Sequence, residues 1–537
     1  MRPAGAVLLA IVASMVTIGA APTAPRQRYA AAAPTIAPVP MGASCRPEAS
    51  ADVDLGAAWL LVGEARHARA AFDRAVDHDP DCALGYWGQV IAVLDWALAE
   101  APKDGTAAAT VSGTAIEAMI GRALAVPAKT PFERAAVAAL RAMRDRVAAS
   151  GVPAAWPARV GAYRDALCAG AASDRGIRLW CARALADAAI SPYMSQPAAA
   201  ALAHVVELGR DRPLDVGAAF IALQVAEDDR APIVTRAIEA ITAGNPPAPW
   251  PHLAVVDAAR ARGDWAVAVA SSARAAAVTD NPYALQRAVD AELEALMQLG
   301  RRREAYARAA AVLRVAPDAS DHVREIASRA FARLAIADRR IDGRGLGDRT
   351  ALALGPREAQ NWPAVFVDAL DAALRAWPGG DATLLAKARA SLEALEPQAG
   401  EDGVNEIDWA GAIVEAAMAA SQDEHQQMEL FLTHAAELEA DPRMIRFGSS
   451  LLVPTKEIAA ELWLRTYRYD AARRDARAVL QAEPGRISPY VVLARTADRL
   501  HEAASAEAWK KVLELRASAD ADDTIRLEAQ RALGLAK

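Results

Sequence analysis

From about residue 50 onward, apolar and small residues return every three or four positions, the spacing of one face of an α-helix. Counting back from Pro80, Ala75, Phe72 and Ala68 fall at i, i−3 and i−7. A second helix before Gly63 carries Leu55, Gly56 and Trp59 on its inner face. Small residues at 56 and 68 let two antiparallel helices approach closely, and Trp59 and Phe72 fill the space beside them. Pro80 ends the unit, because proline lacks an N–H and clashes with the preceding turn of a helix. No segment alternates apolar and polar positions with β-branched enrichment, so essentially no sheet is expected.

The unit repeats. In "ELWLRTYRYDAARRDARAVLQAEP", Trp463, Tyr469, Ala472, Ala476, Val479 and Pro484 hold the matching places. One period later, Ala497, Ala506 and Leu513 take the slots of Trp463, Ala472 and Val479. "ARARGDWAVAVASSARAAAVTDNP" and "LMQLGRRREAYARAAAVLRVAP" are two further units, and "QDEHQQMELFLTHAAELEADP" is a degenerate one. In "TPFERAAVAALRAMRDRVA", Thr130 is the expected helix cap, with Pro131 at the first helical position and Glu133 three after the cap. A period of about 34 residues with small and aromatic residues at these offsets resembles the tetratricopeptide repeat. The expected fold is all-α: an α-solenoid of tetratricopeptide-like (TPR) helical hairpins, wound as a right-handed superhelix. The expected division is an N-terminal half over 45–340, an irregular seam over 341–362 ("GRGLGDRTALALGPREAQNW" lies within it) and a C-terminal half over 363–537.

The order of features also resembles a bacterial family of exported TPR proteins without an assigned function. Its hallmarks here are "FDRAVDHDPDCALGYWG", "TPFERAAVAAL", "GDWAVAV" and "FGSSLLVPTKEIAAELWLRTYRYDAA". Members often carry His pairs at i, i+4 in the middle of the chain. Phe220 with Gln224, and Leu253 with Asp257, hold those places here. The resemblance therefore implies that any chemistry of those pairs has been lost.

Composition narrows the classes. With 53% hydrophobic and 24% charged residues the chain is globular, and its net charge of −7 argues against a nucleic-acid partner, which needs a basic surface. Of the 60 Lys and Arg only seven are Lys, which reads as coding bias. Arg2, the uncharged run Ala4–Ile18 and the small residues Gly19-Ala20-Ala21 read as a signal peptide over 1–21. The run is short for a membrane span, so none is expected in the mature chain, although a retained signal anchor is the alternative because Arg26 and Arg28 follow closely. Residues 22–44, rich in Ala and Pro, read as a disordered tether.

Candidate chemistry is sparse. His501-Glu502 begins a zinc-protease signature, but Ser505 stands where the second His belongs. His67, His78, His425 and His434 have no ligand spacing. Gly343, Gly345 and Gly347 lack the following Lys-Ser or Lys-Thr of a phosphate loop. No catalytic, cofactor or metal residue is assigned. The four Cys are the most readable feature. Cys168 and Cys181 flank a predicted helical turn and would face each other, and Cys45 and Cys82 are one repeat apart. Disulfides suit an exported chain, and four buried thiols are the alternative.

The leading functional expectation is a periplasmic or secreted, non-enzymatic scaffold that binds a protein or peptide on its concave face. The alternatives are a hydrolase or metal-dependent enzyme with its site around residues 215–260, and a purely structural envelope component. By the TPR register, Glu457, Glu461, Leu464, Arg465, Val491, Arg495, Asp498 and Arg499 are expected to line the groove. Their arginines would fork onto partner carboxylates over an apolar floor of Leu464 and Val491. Mutual pairing of Glu461 with Arg465 at i, i+4 is the competing reading.

Overall fold

A computed structural model describes residues 36–99, 113–146, 156–190, 198–279, 281–313, 321–338, 361–394, 404–440 and 451–535. The expected signal peptide, residues 22–35 of the expected tether and residues 341–360 of the expected seam lie outside these. The described residues hold helices and no strands. In the first half they are α1 (Pro47–Leu61), α2 (Ala65–His78), α3 (Ala83–Ala99), α4 (Gly113–Ala125), α5 (Pro131–Asp145), α6 (Trp156–Cys168), α7 (Arg175–Ile190), α8 (Ala198–Leu208), α9 (Val216–Val225), α10 (Pro232–Gly244), α11 (Pro249–Arg262) and α12 (Trp265–Val278). The second half holds α13 (Pro282–Gln298), α14 (Arg302–Leu313), α15 (Asp321–Ala337), α16 (Trp362–Arg375), α17 (Ala382–Glu393), α18 (Val404–Ser421) and α19 (His425–Glu439). It ends with α20 (Thr455–Arg465), α21 (Tyr469–Ala482), α22 (Ile487–Arg499), α23 (Ala504–Leu515) and α24 (Thr524–Ala532).

Successive helices pair as hairpins, and the first helix of each hairpin also touches the first helix of the next: α1 to α3, and so on through α13, α15, α16, α18, α20 and α22. These first helices form a continuous inner row. The second helices lie outside it; α2 and α21 each bury one stripe and expose the rest. This is the expected all-α solenoid.

The hairpin turn has a repeated physical cause. Gly63, Gly263 and Gly300 adopt φ of +80°, +75° and +74°. The next N–H reaches back five residues: Glu64 to the Trp59 carbonyl, Asp264 to Ala259 and Arg301 to Leu296, all at 2.8–2.9 Å. That left-handed residue with a closing bond is the Schellman stop, where glycine costs least. Inside the first hairpin, Phe72 is fully buried between Gly56 of α1 and Gly88 of α3, where an added Cβ would meet its ring at 2.8 and 2.2 Å. The expected cap of α5 is present: Glu133 N–H donates to the Thr130 hydroxyl at 3.2 Å, and the Glu133 carboxylate answers.

Two large cores lie along the solenoid. One core runs from Met41 to Ala258, the other from Val289 to Val492, with small clusters around α11–α13 between them. Helices α13 and α15 therefore pack with the C-terminal helices. Each half also curls back on itself. Helix α9 touches α1, with Gly217 against Leu61. The C-terminal helices curl back as far as α12: the Trp265 indole donates to the Gly485 carbonyl at 2.8 Å, and the Arg516 guanidinium to the Met297 carbonyl of α13 at 2.7 Å.

Candidate functional site

The expected C-terminal groove is largely closed. Glu457, Leu464, Arg465 and Val491, expected to line the groove with Leu464 and Val491 as its apolar floor, are buried. Arg465 donates to the Leu374 carbonyl and lies over the Trp377 ring, 4.8 Å from its centroid. Glu461 accepts from the Ser488 hydroxyl at 2.7 Å. Arg495 forks onto Glu528 of α24 at 2.8 and 2.6 Å, so the carboxylate it was expected to seek in a partner is supplied by the chain itself. Asp498 accepts from the Trp509 indole at 2.8 Å and from the Ser505 hydroxyl. Arg499 is exposed.

What fills the groove is a buried ion network drawn from distant repeats. Arg486 donates to Glu457 at 2.6 Å, to Glu294 at 2.7 Å and to Glu483 at 2.6 Å. Arg329 pairs with Asp290 at 3.0 Å, and Arg260 and Arg333 stand near Glu294. Burial alone would push Glu294 up, but the Arg260, Arg486 and Arg333 guanidiniums outweigh it and hold it well below the usual range. Periodicity did not reveal this network, because a charged residue on a helix reads as solvated until a remote repeat covers it.

The inner face of the N-terminal half carries a different arrangement, also missed in the sequence. Residues 36–44, the end of the expected tether, are packed against it. Val39, Met41, Ala43 and Cys45 turn inward while Pro40, Gly42 and Ser44 stay exposed, the period-two alternation of an extended chain. Val39 N–H donates to the Asp54 carbonyl at 3.1 Å, and Met41 N–H to the Asp54 carboxylate at 2.8 Å. The Trp180 indole of α7 donates to Met41 Sδ at 3.3 Å, and its ring meets Trp87 of α3 edge-on at 4.9 Å. Ser44 gives its N–H and hydroxyl to Glu133 of α5 at 2.6 and 2.7 Å. Burial works against the Glu133 charge, but the Ser44, Thr130 and Lys129 N–H groups and the Ser44 hydroxyl hold its pKa below the ordinary value. Asp54 is shifted the other way, raised by burial. The strap is anchored at Cys45, whose sulfur lies 2.05 Å from that of Cys82, and the Arg46 N–H donates to Asp79 at 2.8 Å. Cys168 and Cys181 are likewise joined, with Cα atoms 4.9 Å apart, as their facing positions in α6 and α7 suggested. The legible signal for the strap was the proline spacing: Pro38 and Pro40 bracket Val39, so across residues 38–41 only alternate residues have an N–H to donate.

The mid-chain positions do not converge. Phe220 and Leu253 are core residues, Asp257 pairs with Arg287, and Gln224 is half-buried on α9. Asp229 is raised by burial, with the Asp257 and Asp228 charges adding to the effect. His252 is buried with Nε2 3.0 Å from the Pro246 carbonyl, and burial lowers its pKa. Among the described residues no three His, Cys, Asp or Glu are grouped to hold a metal ion, and no helix is long and apolar enough to cross a membrane.

No family model matches the chain, and no curated protein matches it. Among solved structures, the chain is similar to one in "Crystal structure of APC/C hetero-tetramer Cut9-Hcn1", at 11% identity over 90% of each chain with a TM-score of 0.25. An overlap that loose carries no argument, and the fold rests on the helix packing above.

Proposed function

We propose that this chain is an exported, non-enzymatic solenoid scaffold that binds a protein or peptide partner on the inner face of its N-terminal half. The observation that supports this is the seating of residues 36–44. An extended segment lies across α1, α5 and α7, with backbone N–H groups received by Asp54 and Glu133 and a side chain received by Trp180. A surface that holds one extended segment has the chemistry to hold another. The two disulfides suit an oxidising compartment and so support export.

The test is site-directed photo-crosslinking in cells. A photoreactive residue at Asp187, whose ion-pair partner Arg183 reaches the Leu60 carbonyl of α1, should yield a discrete adduct. The same residue at Arg66, exposed on the outer helix α2, should not. Equal crosslinking from both, or none from Asp187, would remove the inner face from consideration.

A further inference from the structure

We infer that residues 36–44 are a built-in ligand of this inner face, held in place by the Cys45–Cys82 bond, and that the partner binds through an extended, proline-containing apolar peptide that replaces them. The inference rests on the proposed binding role of the face and specifies the peptide chemistry it takes. Three observations define that chemistry. The inward positions alternate as Val39, Met41 and Ala43, so the face accepts two apolar side chains and then a small one. The donated N–H groups belong to Val39, Met41 and Ser44, and the neighbours Pro38 and Pro40 have none to leave unsatisfied. The outward edge at Pro40, Gly42 and Ser44 is open to solvent, while Met41 is buried with the core, so the segment lies at the surface of that core and its departure would uncover the place of one core side chain.

The receiving groups are built for this occupant. Glu133 is fully buried and would lose its Ser44 donors if the strap departed, while keeping those from Lys129 and Thr130. Trp180 also packs edge-on against Trp87, whose own indole donates to the Tyr163 hydroxyl at 3.0 Å, so Met41 is not its only neighbour. The disulfide fixes the end of the strap beside its site. Continuity with α1, which begins at Pro47, and this bond together keep the strap's effective concentration on the order of millimolar, so a free peptide competes poorly while the strap is seated.

The probe is a labelled peptide of residues 36–45 carrying Cys45→Ser, followed by fluorescence anisotropy against the full chain. Oxidised wild type should bind it weakly or not at all. A Val39→Asp/Met41→Asp chain, whose strap is expelled, should bind at least about tenfold more tightly, and Cys45→Ser/Cys82→Ser should fall between. Adding Trp180→Ala to the strap-expelled chain should abolish binding. A folded strap-expelled chain that binds the peptide no better than wild type overturns the inference. Should that variant not fold, the Cys45→Ser/Cys82→Ser chain decides, since its strap sequence is intact: hydrogen exchange at Val39 and Met41 should quicken relative to wild type, and unchanged exchange overturns the latch. Crosslinking from Asp187 in the presence of a failed peptide test would leave the scaffold reading standing and remove only the strap.

Discussion

Phe72 is clamped between two backbones. Gly56 on one helix and Gly88 on the next leave room for its ring, and any side chain at either position would intrude on it. Gly56 and Phe72 were legible as a pair, because small and aromatic residues at those offsets define the repeat. Glu133 was legible only in part: the capping box follows from Thr130 and Glu133 alone, whereas its second task, receiving Ser44 from 89 residues away, does not. The same limit explains Arg465 and Glu457, which a helical register places on a groove and distant residues bury. Glu133→Gln is expected to destabilise the chain by about 1.5–3 kcal/mol at neutral pH, the worth of hydrogen bonds to a charged acceptor. The folded pKa lies below the ordinary 4.5, so this stability is complete above 4.5 and disappears as pH falls through the depressed value. Urea melts of both chains should therefore differ at neutral pH and converge in acid. A gap that persists unchanged below the folded pKa would mean that shape, and not charge, holds the strap.

At the level of the element, one turn recurs with two kinds of residue. Gly63, Gly263 and Gly300 take the left-handed corner without cost, but Asp423, Tyr467 and His501 take it at φ of +64°, +61° and +55°. The closing bond is the same in both sets, for example Arg468 N–H to the Trp463 carbonyl at 2.8 Å. Packing of the hairpin imposes the turn, and the local residue merely tolerates it. Glycine therefore marked some hairpins plainly, while "QDEHQQ" looked degenerate although it builds the same corner. Tyr467 is exposed, and the rings of Trp377 and Tyr469 lie 6.3 and 6.4 Å from its own. Tyr467→Gly should thus stabilise the chain by about 1 kcal/mol, by relieving a left-handed side-chain clash. Gly263→Ala should do the opposite, since its Cβ would also lie 2.6 Å from the Gly485 backbone. Thermal melts of the two variants should move in opposite directions; a shared direction would show that the corner is not strained.

Across the whole chain, the separation of the two cores matters more than the number of repeats. A solenoid unit contacts only its neighbours, so the sequence period predicts an open array. Here each half closes, and the closing contacts join residues about two hundred apart, which no periodicity can announce: Arg486 with Glu294, Ile487 N–H with Gln298 at 2.9 Å, and Asp520 N–H with the Gly300 carbonyl at 2.9 Å. Arg486 is the centre of that closure. Arg486→Ala would leave Glu294 and Glu457 buried without their shared cation, and breaking such a pair costs about 3–5 kcal/mol. Because the N-terminal core from Met41 to Ala258 shares no large cluster with the C-terminal one, the loss should be local. Hydrogen exchange at Ile487 and Asp520 should accelerate strongly in the variant, while Val39 and Met41, whose N–H groups bond to Asp54, keep the protection of wild type. Equal acceleration at all four amides would mean that the halves open as one cooperative unit, and the strap and the ion network would then have to be treated as parts of a single device.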